Sequence, residues 1–368
     1  MNAYRTLLRP LLFRLDPEWV HDRAIQSCEA AGRVPGVCRL MSAWYAFPDP
    51  RLETEVCGIR FANPLGLAAG YDKSGRAVRA MAAMGFGHVE IGSVSADPSD
   101  GNPKPRLWRL PRDRAIIVHY GLPNDGAEAV AARLAPQRLP VPLGINIVKT
   151  NRGIDAPPDS DDETIGDYLR SVAALNDVGD YLTLNLSCPN TEMGRNFFAD
   201  PANTTRLLAA LGDLDIRCPV FLKVSPAGGV RAIEELLAAV EGVSFVSGFA
   251  FNLPSGRPET LKTPPHLLES KPGAVSGKPV EGMINEAIHE LYRRMDRHRY
   301  RIIGIGGVFS ADDAYRKIQL GASLVQLMTA MIYEGPGVIR AINRGLCGLL
   351  ERDGFASISD TVGTANTP

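Results

Sequence analysis

The feature that most restricts this chain is an alternation that begins at about residue 51. Short apolar runs alternate with helical stretches, and the runs read PLGLAAG, HVEIGSVS, PLGINIV, YLTLNLS, VFLKVS, VSGFAFN, RIIGIGG and SLVQLMT. Eight buried strands separated by helices point to a closed parallel barrel. The strands are placed at Leu65–Ala69, His88–Val94, Leu143–Ile147, Tyr181–Leu186, Val220–Val224, Phe245–Phe251, Arg301–Ile305 and Ser323–Leu327. An open doubly wound sheet is the competing arrangement. It gathers its ligand groups at one switch point, whereas here polar residues end almost every run. The fold class is therefore α/β, a (β/α)8 TIM barrel over residues 46–368, with a small helical extension over residues 1–45.

Composition narrows the function classes. The 368 residues are 45% hydrophobic and 22% charged, with a formal net charge of -1. That balance gives no concentrated basic face for nucleic acid. No apolar run reaches the ~18 residues that span a bilayer, and no secretory cleavage site follows the start. The six cysteines contain no CxxC pair, which argues against a zinc site or a disulfide framework and fits a reducing cytosol.

The first 45 residues read as short helices. Leu7, Leu8, Leu11, Leu12 and Leu15 share one face, with Pro10 interrupting the first helix. A second helix over Trp19–Ala31 follows Asp16-Pro17-Glu18, a cap and first turn. Periodicity alone favours a helical cap packed on the barrel, with an amphipathic pair on a membrane surface as the alternative. Two stretches read as loops: Asp155–Thr164, acidic and proline-containing, and Leu253–Pro279, a lid candidate.

A barrel builds its site at the C-terminal ends of its strands. Those ends supply Ala68, Ala69 and Gly70 followed by Lys73, then Ser93, Asn146 and Lys149. Further ends supply Asn185 with Ser187-Cys188-Pro189-Asn190, Lys223, Asn252, Gly306-Gly307 and Met328-Thr329. The set is rich in amides and lysines and poor in carboxylates and histidine. Metal-assisted hydrolysis and glycoside hydrolysis both need groups it lacks, and no metal site is expected. Amides hold the edge of a flat hydrogen-bonding heterocycle, and a lysine stabilises negative charge developing on it. That combination suits a flavin. GIGG at 304–307 and the segment at 327–329 lie after strands seven and eight, where phosphate-binding barrels aim backbone N–H groups. Cys188, just beyond a strand and flanked by Asn185 and Asn190, is either a small buried hydrophobe or a catalyst, and its neighbours favour the catalyst.

At these residues the chain resembles the dihydroorotate dehydrogenases. NPLGLAAGYDK (Asn63–Lys73), GFGHVEIGSV, GNPKPRLWRL, NLSCPNT (Asn185–Thr191), SGKP (Ser276–Pro279) and IIGIGGV follow that family's order over nearly the whole chain. The ends, LLFRLDPEWVH and RDGFASISDTVG, resemble the second class, which is membrane-associated, binds FMN and passes electrons to a quinone. The resemblance implies hydride transfer from C6 of dihydroorotate to flavin while a base takes the C5 proton. It assigns FMN to Ala68, Ala69, Gly70, Ser93, Asn146, Lys223, Gly277, Gly306, Gly307 and Thr329. It assigns the substrate to Lys73, Asn185, Asn190, Asn252 and Tyr120, with Cys188 at the base position and Lys73 as a catalytic cation. It also reverses the reading of residues 1–45, which become a quinone-tunnel entrance on the cytoplasmic side of a membrane, held peripherally; a purely cytoplasmic location is the alternative.

Four departures fall at the substrate. The second class carries serine where this chain has Cys188. The family's NR(Y/M)GFNN loop is Val118-His119-Tyr120-Gly121-Leu122-Pro123-Asn124, which replaces an amide with Val118, an aromatic residue with Leu122 and an asparagine with Pro123. A hydroxyl position has become Leu253, and Glu192–Asp200 lacks the family's text. Unpaired buried polar groups cost about 1–3 kcal/mol each, so orotate binding should weaken. Two further readings follow: a related flavoenzyme for a less polar substrate, and a non-catalytic flavin-binding relative.

Overall fold

The computed structural model describes residues 3–153, 155–187 and 197–366. Eight parallel strands close into a barrel, each hydrogen-bonded to the next in chain order: Leu65–Leu67, His88–Val94, Leu143–Ile147, Tyr181–Asn185, Val220–Val224, Val246–Phe251, Arg301–Ile305 and Leu324–Leu327. The eighth closes on the first through Val325↔Leu65 and Leu327↔Leu67. All eight expected strands are present to within two residues at either end. Strands covered on both faces read as unbroken apolar runs, which is why the pattern located them.

The barrel interior is layered. At its base, Tyr181, Phe221, Ala250, Ile303 and Leu324 pack with Val56 and Phe61 of a hairpin, Thr54–Val56 with Ile59–Phe61, which plugs the opening. Glycines on neighbouring strands make room for the large rings. A Cβ on Gly66 would lie 2.0 Å from the His88 ring, and one on Gly144 would lie 2.2 Å from Tyr181. Above this layer sits a buried polar cluster centred on Glu90. Asn146 Nδ2 donates to its Oε1 at 3.0 Å, and Tyr181, Thr183 and Gln326 donate to its Oε2 at 3.2, 3.1 and 2.9 Å.

Both loop expectations need correction. Residues 161–164 form the first turn of the helix Asp161–Leu175. Ser160 caps it, with reciprocal hydrogen bonds between Ser160 and Glu163. The acidic residues that suggested a loop are those a helix N-terminus favours. At the other stretch, Ala274–Gly277 is a strand, paired antiparallel with Ala115–Val118, which in turn pairs with Leu107–Leu110. This small sheet lies over the barrel mouth and brings Leu107, Ile116, Val118 and Ser276 to the cavity described below.

The N-terminal segment is helical over Tyr4–Leu12, Pro17–Gly32 and Pro35–Tyr45. The first piece is a π-type turn that passes into a short α-turn at Arg9, next to Pro10, which has no N–H to continue an earlier ladder. Asp16 caps the second helix by accepting from the Trp19 amide at 2.8 Å. One side of this extension is tied to the barrel: Glu18 pairs with Arg106 at 2.9 Å, both buried, and Tyr4 donates to the Ile332 carbonyl at 2.8 Å. The other side is apolar and open to solvent, with Leu7 67%, Leu40 69% and Trp44 72% exposed. Among the described residues no helix is long and apolar enough to cross a membrane.

Candidate active site

A cavity of about 620 Å³ runs from the C-terminal ends of the barrel strands to the space between the N-terminal helices. Its barrel end is lined by Ala68, Ala69, Gly70, Ser93, Asn185, Lys223, Asn252, Gly306, Gly307 and Thr329. Its outer end is lined by Leu8, Leu12, Val20, Ala24 and Cys28, with His21 and Arg109 among the few polar groups there. Burial pushes the Cys28 thiol up to about 11, so it behaves as an apolar wall.

The polar end is a connected row of side chains. Asn146, held by Glu90, accepts from the Ser93 hydroxyl at 2.5 Å. Asn185 Nδ2 donates to Ser93 at 3.1 Å, and Asn252 Nδ2 donates to Asn185 Oδ1 at 2.8 Å. Tyr168 fixes the end of the fourth strand by donating to the Asn185 carbonyl at 2.7 Å. The ends of the second, third, fourth and sixth strands therefore present amides and a hydroxyl as one rigid edge.

Two expected contacts lie just behind the wall. Asn146 is fully buried and reaches the cavity only through Ser93. Gly277 neighbours the lining residue Ser276, whose hydroxyl meets that of Thr329 at 2.9 Å. Gly277 has φ +117°, and a Cβ there would lie 2.4 Å from the Arg114 carbonyl. Gly307, at φ +76°, is demanded by packing: a Cβ would fall 2.4 Å from that of Glu281.

Lys73 lies on the cavity wall, as expected, but its partners come from the N-terminal extension and the loop at 120. Its ammonium is 3.0 Å from His21 Nε2 and 4.0 Å above the Tyr120 ring. Burial lowers its pKa to about 8, against the opposing pull of Asp22 and Glu18. Lys149 turns away from the cavity and pairs with Asp159. Cys188 and Asn190 lie outside the described residues. Val118, Leu122, Pro123 and Leu253, the four apolar departures, all line the cavity.

Sequence reasoning missed His21, Arg109 and Gln326 as wall residues. His21 and Arg109 sit inside quoted motifs, EWVH and PRLWRL, yet no local pattern marks them. They reach the cavity only when the extension and the small sheet fold over it.

The comparisons with known proteins agree with this geometry. The dihydroorotate dehydrogenase family profile matches residues 51–350. This chain belongs to the dihydroorotate dehydrogenase family. It is 42% identical over 362 residues to a dihydroorotate dehydrogenase (quinone) of Roseiflexus castenholzii, covering 97% of this chain and 95% of that one. It is 39% identical over 365 residues to the same enzyme of Natronomonas pharaonis, covering 99% of each. The crystal structure of the Eimeria tenella dihydroorotate dehydrogenase in complex with ferulenol superposes with a TM-score of 0.83 at 28% identity, covering 96% of each chain.

Dihydroorotate dehydrogenases are FMN-dependent oxidoreductases acting on a CH–CH bond, and the residues here fit that cofactor. The cavity lies within the roughly 300–1,000 Å³ of small-molecule sites. One wall is an amide and hydroxyl edge beside Lys223, which suits a flat ring that hydrogen-bonds along its rim. Gln326 Oε1, buried at the cavity floor, has no hydrogen-bond partner among the described residues. A buried acceptor of that kind calls for a bound donor. Gly306, Gly307, Ser276 and Thr329 line one end of the cavity, a place for a phosphate.

Proposed function

We propose that this chain oxidises dihydroorotate to orotate in pyrimidine biosynthesis and delivers the electrons to a quinone. The observation that carries this reading is one cavity with two environments, an amide–lysine end at the barrel mouth and an apolar end between the N-terminal helices. A polar ring and an apolar acceptor need those two environments. When bound, FMN would supply the hydride acceptor and the electron carrier. Ala68, Ala69, Gly70, Ser93, Asn146, Lys223, Gly277, Gly306, Gly307 and Thr329 hold it, directly or through a neighbour. Lys73, Asn185, Asn190, Asn252 and Tyr120 bind and orient the substrate, and Cys188 takes the C5 proton. The test is direct: in purified, FMN-loaded enzyme without oxygen, dihydroorotate bleaches the flavin absorbance and a quinone restores it. A flavin that stays oxidised defeats the proposal.

A second reading rests on Val118, Leu122, Pro123 and Leu253, which make one wall apolar. It assigns the enzyme a less polar dihydro-ring substrate. Val118→Asn separates the two. If the native substrate is dihydroorotate, the added amide tightens orotate binding about tenfold, the effect of one hydrogen bond of ~1.4 kcal/mol. If bleaching requires a less polar ring, the same change weakens that ring's binding instead.

The extension over residues 1–45 serves, in this proposal, as the quinone entrance and as a peripheral contact with the cytoplasmic face of a membrane, the barrel over 46–368 being the catalytic unit. Support comes from the exposed Leu7, Leu11, Leu40 and Trp44. Each such side chain contributes about 1.5–3 kcal/mol when buried in an apolar medium. The double variant Leu40→Gln, Trp44→Gln should bind liposomes at least tenfold more weakly in a flotation assay, with dihydroorotate bleaching intact. Equal flotation removes the membrane role.

A further inference from the structure

A second cavity, of about 650 Å³, lies against the first. Its walls are charged, with Glu18, Asp22, Glu29, Asp72, Asp100 and Arg106 among them. The two cavities share only a thin partition made by His21, Tyr71, Lys73, Tyr120 and Pro123. The titratable nitrogens in that partition touch each other, since His21 Nε2 lies 3.0 Å from Lys73 Nζ. Both side chains keep some accessible surface, as groups that open onto a cavity do. Lys73 Nζ also lies over the Tyr120 ring, whose buried hydroxyl has no hydrogen-bond partner among the described residues.

From this juxtaposition we infer that the His21–Lys73 pair carries protons from the polar cavity to a quinone in the apolar one. The inference rests on the quinone reading above. Reduction of a quinone takes two electrons, supplied by dihydroorotate oxidation, and two protons. The apolar end of the tunnel has few groups able to give a proton. Arg109 is one of its polar residues, and a guanidinium does not release its proton in proteins. The pair does what the arginine cannot. Each proton given to a reduced quinone oxygen is replaced from water in the charged cavity, so the pair returns to its starting charge twice per turnover.

The electrostatics agree with the geometry. Burial and the Lys73 cation hold the His21 imidazole well below its usual range, against a hydrogen bond to the Tyr71 backbone. Burial brings Lys73 down to about 8. Near neutral pH the imidazole is therefore neutral and accepts from the ammonium, and the ammonium is acidic enough to give its proton up. The charged groups around the pair are Glu18, Asp22, Asp72 and Arg106.

The experiment uses FMN-loaded His21→Phe enzyme, pre-reduced with dihydroorotate and mixed with either a short-chain ubiquinone analogue or ferricyanide, which takes electrons without protons. The relay predicts that reoxidation at saturating quinone slows at least tenfold and that its solvent deuterium isotope effect rises. Added imidazole restores part of the rate. Bleaching by dihydroorotate and reoxidation by ferricyanide stay within twofold. A loss confined to the quinone concentration required, with the maximal rate intact and no imidazole rescue, makes His21 a binding residue and overturns the relay. If the wild-type enzyme is not reoxidised by quinone at all, the acceptor assignment fails and the relay with it; if it is, and His21→Phe matches it, the relay alone fails. A second readout is independent of turnover. In 15N-histidine-labelled protein, His21 stays neutral down to acidic pH, and Lys73→Met moves its titration up towards the ordinary value of about 6.5. A His21 that titrates ordinarily and ignores Lys73→Met also overturns the relay.

Discussion

Cys188→Ala should slow bleaching of the flavin by dihydroorotate by about 10²–10⁴-fold, the usual contribution of a positioned general base. FMN binding should not change, because the residue assigned to the C5 proton is not assigned to the cofactor. A thiol ionises near 8.5 in ordinary surroundings, within reach of physiological pH, whereas a serine hydroxyl does not. Asn185, at the end of the fourth strand, is held by Tyr168, Ser93 and Asn252. Burial pushes Cys28, Cys218 and Cys347 up to about 11, which takes all three out of range as bases near neutral pH. Anaerobic stopped-flow absorbance measures the rate. Cys188→Ser should recover part of it, and more at high pH, since the weaker acid needs more base. A Cys188→Ala rate equal to wild type takes Cys188 out of the mechanism.

The barrel was legible because its strands are covered on both faces, which leaves eight unbroken apolar runs. The amide–lysine set was legible for a related reason: each member follows one of those runs, where a barrel puts its chemistry. What stayed hidden depends on contacts between distant segments. Ala274–Gly277 is four residues long inside a Pro/Gly-rich stretch, and only pairing with Ala115–Val118 makes it a strand. His21 and Tyr120 are a hundred residues apart, and nothing local says that they share a wall. Asp155–Thr164 looked like a loop by composition, although Ser160 and Glu163 have the spacing of a capping box. Glu90 was hidden by its own context, as a single charge inside the apolar run HVEIGSVS.

That charge supports the second large effect. Glu90 is buried and accepts from Asn146 on the third strand, Tyr181 and Thr183 on the fourth, and Gln326 on the eighth. In Glu90→Leu the two hydroxyls can rotate to other acceptors and Gln326 Nε2 keeps the Tyr181 hydroxyl at 3.2 Å, but it loses its shortest contact and the Asn146 amide is left unpaired. At about 1–3 kcal/mol for the unpaired amide and about 1 kcal/mol for the contact Gln326 loses, this destabilises the fold by about 2–4 kcal/mol, out of the 5–15 typical of a domain. The melting temperature should fall by roughly 3 to 5 °C. Function should suffer as well, because Asn146 is the link between Glu90 and the Ser93–Asn185–Asn252 row. With Asn146 free to turn, that edge loses its fixed orientation, and FMN should bind at least tenfold more weakly. Glu90→Gln discriminates shape from acceptor capacity. Its amide oxygen still takes Asn146, and its NH2 can donate to Tyr181 and Thr183 if their hydroxyls reverse. Gln326 alone then loses its 2.9 Å contact, so Glu90→Gln should fall between wild type and Glu90→Leu in both melting temperature and FMN affinity. Thermal melts and FMN titrations of the three proteins measure the order. If Glu90→Leu melts and binds FMN like wild type, the buried cluster neither holds the strands together nor orients the amide row.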